Sequence, residues 1–230
     1  MQVVKPAKKR GAGRPARISR ATIAAAALKI VNAEGVAGLT MRRVAHILGV
    51  APMATYRHVR DKDELLVLLL DSVYRERRTP RFPTEPRKRL TAIWKFLHSG
   101  LERYPWIVQA LVRSDVIAPP VLEQMEDALG CLVACGLTHE EAGDAYRILW
   151  QFTVGEVMLR ARMLRREHSA TPSGVVRTLL DVNPSDMPHL ARVAQYWFAP
   201  PKSLAYEQAL RRLLGGLLPD PRSLPREHKT

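Results

Sequence analysis

Two cysteines in 230 residues, Cys131 and Cys135, leave no material for a disulfide framework, and a lone pair four residues apart is not a zinc-site pattern. They read as small apolar residues of a core in a reducing compartment. Acidic side chains are scarce beside basic ones, 22 against 36, which gives a net charge of +14 at pH 7. The apolar run Leu65–Leu70 falls far short of the roughly 20 residues that a membrane helix needs. The basic N-terminus MQVVKPAKKRGAGRPARIS lacks the apolar stretch of a secretory signal, so the expectation is a cytoplasmic protein without a membrane partner. GxSxG, HExxH and GxxxxGK[ST] are all missing, and the seven histidines show no ligand spacing. No catalytic activity, metal or cofactor is expected. Strand signals are almost absent too, and apolar residues recur with the period of a helix.

What is present begins with an uneven charge. Residues 1–20 carry seven basic side chains and no acidic one, and the first 80 residues hold +10 of the +14. A basic arm (1–18), in which Arg14 and Arg17 are candidate DNA contacts, stands before a small helical module. That points to a polyanion, nucleic acid before membrane.

The patterning predicts a first helix from a Ser19 cap to about Ala33, and a second opened by Thr40 with Val44, Ala45 and Leu48 inward. Gly49 ends the second helix, and Pro52 opens a third, at a position where its missing N–H costs nothing. Asp61 and Glu64 suggest a capping box for a fourth helix that buries Leu65, Leu66, Leu69 and Val73. Prolines at 80, 83 and 86 mark a boundary. Beyond it, helices are predicted at about 86–103, 105–114, 119–135, 139–166, 186–198 and 202–217, with a Thr138–Glu141 capping box. Ser169–Asp186 reads as a loop with at most one helical turn.

Two short helices of eight or nine residues around Gly49-Val50-Ala51-Pro52 are marginal in isolation. They make sense if the second projects into a DNA major groove while the first fixes its angle. Ala45 is small, as close crossing demands. Tyr56 and His58 can donate to phosphates, and Met53, Ala54 and Thr55 can offer apolar or hydroxyl contacts to bases. Arg42 can reach a guanine edge or a phosphate, and Lys62 sits at a helix start that favours a phosphate.

The stretch LTMRRVAHILGVAPMATYRHVRDKDELL resembles the DNA-binding domain of the tetracycline-repressor (TetR) family of bacterial transcriptional regulators, over about residues 19–78. The resemblance implies DNA contacts at Thr40, Arg42, Pro52, Met53, Ala54, Tyr56, His58 and Lys62. Two positions depart from the family pattern. Thr55 replaces a common leucine, leaving either a more polar core edge or an extra hydroxyl contact. Ala51 replaces the usual serine, a lost cap worth about 1 kcal/mol.

The expected fold is all-α. A three-helix helix-turn-helix domain (19–80) is joined by a fourth helix to a larger ligand-binding and dimerisation domain (86–218), followed by a tail (219–230). Helices 139–166 and 202–217 are apolar on more than one stripe, as a symmetric dimer requires. CGLTHEEAGDAYRILWQFTVGEVML resembles the regulatory domain of the tetracycline repressors, which implies an effector pocket. Trp94, Leu97, Leu111, Met125, Trp150 and Phe152 are its candidate lining. Leu111 stands where the resemblance would put a magnesium-binding histidine, so the expected effector is a largely apolar small molecule rather than magnesium–tetracycline. The expected function is a ligand-responsive regulator, a repressor, that binds a palindromic double-stranded operator as a homodimer. A DNA-binding regulator without an effector is the alternative.

Overall fold

The computed structural model describes residues 18–113, 116–167, 174–197 and 205–220; Arg14, Arg17 and the tail beyond Asp220 lie outside the described residues. The elements are α1 (Arg20–Glu34), a single 3-10 turn (Val36–Gly38), α2 (Met41–Leu48), α3 (Pro52–Tyr56), α4 (Lys62–Glu76), α5 (Pro86–Arg103) and α6 (Trp106–Arg113). They continue with α7 (Pro119–Ala134), α8 (His139–Glu167), α9 (Gly174–Leu180), α10 (Pro188–Trp197) and α11 (Ala205–Leu217). No strand occurs among the described residues, and none of their helices is long and apolar enough to cross a membrane.

Local chemistry sets most of the boundaries. Ser19 and Thr22 close a capping box at the start of α1. The Thr40 hydroxyl accepts the Arg43 N–H at 3.2 Å to begin α2. Thr138 and Glu141 form the reciprocal pair that opens α8, with N···O distances of 2.8 and 3.2 Å. The Asp61–Glu64 expectation is half right. Asp61 caps the Glu64 N–H at 2.8 Å, but the Glu64 carboxylate turns to the Arg60 N–H instead, because Arg20 draws it there. The expected loop at 169–186 contains a seven-residue helix, α9, and the third helix is only five residues long.

The chain divides into two compact units. Among the described residues, the first takes those up to Glu76 together with those of Gln109–Ala118, and the second takes Arg77–Val108 and those from Pro119 on. The core of the first unit is Ile23, Ala27, Ile30, Val44, Ala45, Val59, Leu65, Leu66 and Leu69, all buried. Each such leucine contributes about 1.5–3 kcal/mol over exposure, which holds helices too short to persist alone. In the same unit the Gln109 side-chain oxygen lies 3.0 Å from the point a Cβ on Gly35 would occupy.

The second unit packs α5, α7, α8 and α11 around Leu90, Trp94, Leu132, Leu149, Leu210 and Leu214. Cys131 and Cys135 belong to that core as free thiols; burial, then the Asp127 carboxylate, pushes the Cys131 thiol up to about 11. One polar cluster interrupts the hydrocarbon. The buried His98 imidazole lies 2.5 Å from Glu156 Oε2 and stacks on Tyr206 at 3.7 Å between ring centroids. Burial alone would raise the Glu156 carboxyl, but its bonds to His98 and Arg160 outweigh that and lower it.

Candidate nucleic-acid interface

The helix-turn-helix geometry rests on one residue. Gly49 adopts φ 67°, ψ 33°, the left-handed conformation that glycine accepts without strain. The Gly49 N–H donates to the His46 carbonyl at 3.1 Å and the Val50 N–H to the Ala45 carbonyl at 3.0 Å, a Schellman ending that turns the chain sharply out of α2. Pro52 then starts α3 without a side-chain cap at Ala51. Ala45 and Val59 are completely buried on either side of the turn.

Above this base the candidate residues separate into a face and a root. Pro52, Met53, Tyr56 and Arg57 are exposed, Met53 at 72%, and Ala54 and His58 are half-buried. His58 lies beyond the last residue of α3, in the turn that follows. Arg42 is exposed on α2, whereas its neighbour Arg43 is committed to the Glu34 carboxylate and the Gly38 carbonyl. Thr40 is exposed while its hydroxyl caps α2. Lys62 is exposed at the first position of α4, and its ammonium donates to the Val36 carbonyl at 3.0 Å. An ammonium has three donors, so that bond aims the group without exhausting it.

Thr55 is a correction. It is fully buried, and its hydroxyl donates to the Pro52 carbonyl at 2.7 Å. On so short a helix, turning Met53 and Tyr56 outward turns position 55 inward, so Thr55 packs the module rather than meeting DNA.

Three charged residues at this surface, Arg20, Arg60 and Glu64, were not among the site residues expected from the sequence. Arg20 Nη1 donates to the His58 carbonyl at 2.8 Å and to Glu64 Oε1 at 2.7 Å, across 38 and 44 residues of chain. Glu64 Oε2 accepts the Arg60 N–H at 2.8 Å. The Arg60 N–H first and the Arg20 guanidinium second hold the Glu64 carboxyl down to about 2.

The candidate effector residues are less tightly grouped. Trp94 is buried in the second unit's core, where Leu97, Trp150 and Phe152 pack against it half-buried. Met125 is half-buried on α7, and Leu111, half-buried on α6, belongs to the first unit.

Comparison with known proteins adds independent findings. Residues 23–69 match the family described as bacterial regulatory proteins, tetR family, and residues 79–219 match the tetracyclin repressor-like C-terminal domain. The HTH-type transcriptional repressor DrrR1 of Streptomyces coeruleorubidus is 34% identical over 144 residues, 62% of this chain; the match spans only about half, 53%, of that protein. The class E tetracycline repressor protein of Escherichia coli is 30% identical over 152 residues, 62% of this chain and 69% of that protein. Among solved structures, ActR of Streptomyces coelicolor in complex with actinorhodin superposes with a TM-score of 0.76 at 24% identity, covering 88% of this chain and 96% of that one. A TetR variant of Acinetobacter baumannii in complex with minocycline gives 0.61 at 22% identity, over 93% and 100%. The two structural matches share the fold.

Proposed function

The chain belongs to the TetR family of bacterial transcriptional regulators, and from that premise we propose that it binds a palindromic operator as a homodimer and releases it when a small, largely apolar effector enters the C-terminal domain. It is a DNA-binding regulator and not an enzyme, as its relatives are. In this reading residues 19–80 bind DNA, residues 86–218 regulate and dimerise, and Arg14 and Arg17 on the arm add phosphate contacts. The observation that carries it is the exposed face of Met53 and Tyr56 on a five-residue helix, continued by exposed Arg57 at its C-cap, while Thr55 and the following Val59 are buried on the other side. Thr40, Arg42, Pro52, Ala54, His58 and Lys62 complete the proposed contact set.

Dimerisation is supported by the 29-residue α8, which leaves Ile148, Met158 and Leu159 exposed, more apolar surface than one copy covers. With α11 it is the proposed seam between copies. Trp94, Leu97, Met125, Trp150 and Phe152, all of the second unit, remain the proposed effector lining. Trp94 Nε1 and Gln124 Oε1 are buried without a hydrogen-bond partner among the described residues, and Gln124 Nε2 reaches the Ile93 carbonyl at 3.4 Å, next to Trp94 in the chain. They are a donor and an acceptor that a mostly apolar molecule can meet with a few polar groups. Release follows if the effector prefers the conformation whose reading helices no longer match the two half-sites. A tenfold preference amounts to about 1.4 kcal/mol per site.

The test is selection of duplexes from a random library by the full chain, followed by affinity and stability measurements. Tyr56→Ala and His58→Ala, each removing a phosphate donor from the reading face, should each weaken binding to the selected duplex about tenfold, the scale of one lost hydrogen bond to a charged group, with dimer and melting temperature unchanged. Actinorhodin and minocycline are first probes for the effector; one that binds the native state raises the melting temperature by mass action. Selection of no sequence, or of a site without two-fold symmetry, defeats the operator reading.

A further inference from the structure

We infer that Arg20, the first residue of α1, is a positioning residue for base reading: through the His58 carbonyl and Glu64 it fixes the end of the reading helix and makes no base contact of its own. This rests on the assignment of α3 as the helix that meets DNA.

The need for such a device follows from the size of α3. Five residues make little more than one turn, and no side chain caps its first one. Its own hydrogen bonds cannot fix its direction. The inward side is held by Thr55 and Val59. The outward side runs on into the exposed residues Arg57, Arg60 and Asp61, where burial supplies no restraint. Arg20 supplies one. A single guanidinium nitrogen takes the His58 carbonyl at 2.8 Å and the Glu64 carboxylate at 2.7 Å. Glu64 in turn takes the Arg60 N–H at 2.8 Å and the Arg60 Nε at 3.3 Å. The start of α1, the segment after α3 and the first turn of α4 are thereby tied together at the His58 carbonyl, two residues past the end of α3.

Two features separate this from an ordinary surface ion pair. A cation at the first residue of a helix opposes the helix dipole, so α1 itself gains nothing from arginine there. Glu64, meanwhile, is an acid on a module that approaches a polyanion. Left alone it would repel phosphates, but between Arg20 and Arg60 its charge is cancelled and its geometry is used.

The experiment measures the full chain and its variants on two DNAs, the duplex that the wild-type protein selects from a random library and poly(dI·dC). Arg20→Ala should weaken binding to the selected duplex about tenfold, as removal of a base-reading side chain does, while poly(dI·dC) affinity changes less than about twofold. Glu64→Gln should do the same although it removes a negative charge. Arg20→Lys should recover part of the loss, and the double variant should fall no further than either single one. Melting temperatures within about 2 °C of wild type show that the fold is intact. Equal losses on both DNAs, with a salt slope reduced by about one, would make Arg20 a phosphate contact and overturn the proposal. Tighter binding of both DNAs by Glu64→Gln would overturn it as well, leaving charge alone at work. A wild-type chain that selects no sequence fails earlier, and defeats the operator reading rather than the clamp.

Discussion

The Thr55 hydroxyl reaches the Pro52 carbonyl at 2.7 Å, and that bond is how a polar side chain tolerates complete burial inside a DNA-reading module. Thr55→Val keeps the volume and removes the bond. The expected cost is about 1 kcal/mol, seen as a lower urea midpoint, with affinity for the selected duplex unchanged. Loss of affinity without loss of stability would return Thr55 to the DNA-facing set. Both roles were open in the sequence, because five helical residues carry too little period to separate an inward from an outward hydroxyl. Arg20 and Glu64 were illegible for a different reason. They meet across 44 residues, and a long-range pair between side chains of two different helices leaves no trace in local pattern.

At the scale of elements, the turn between α2 and α3 sets the geometry most directly. The position a Gly49 Cβ would occupy has no atom within 4 Å, so Gly49→Ala meets no obstruction and its penalty is purely one of backbone conformation. That penalty is about 1 kcal/mol, or roughly 2–4 °C in the melting temperature of a chain this long. A much larger drop would mean that the whole turn rearranges. Signals of this local kind were readable: Ser19, Thr40, Gly49, Pro52 and the Thr138–Glu141 pair announce their helix ends by short-range chemistry alone. Two elements escaped. The seven residues of α9 are too few to show a period among the prolines and glycine around them. The Asp61–Glu64 box was undone by a partner from another helix.

For the whole molecule, charge is the property with the longest reach. The arm and the DNA-binding module together hold most of the net +14, so DNA should attract the chain before any base is read. Deleting residues 1–16 removes Lys5, Lys8, Lys9, Arg10 and Arg14. Affinity for every duplex should then fall by a similar factor, and the plot of log K against log salt should flatten by about 0.9 for each phosphate that the arm no longer neutralises. Loss of dimerisation on the same deletion would show that the arm has another task. The all-helical plan was legible at this scale because periodicity accumulates over long helices, whereas the partition of the chain was not: Gln109–Ala118 clusters with residues that precede it by more than thirty positions. That partition bears on engineering. A hybrid regulator spliced at Glu76 would part Gly35 from its own Gln109 and set a stranger's side chain in the gap that glycine leaves. Heads should therefore transplant between relatives only when both pieces travel together.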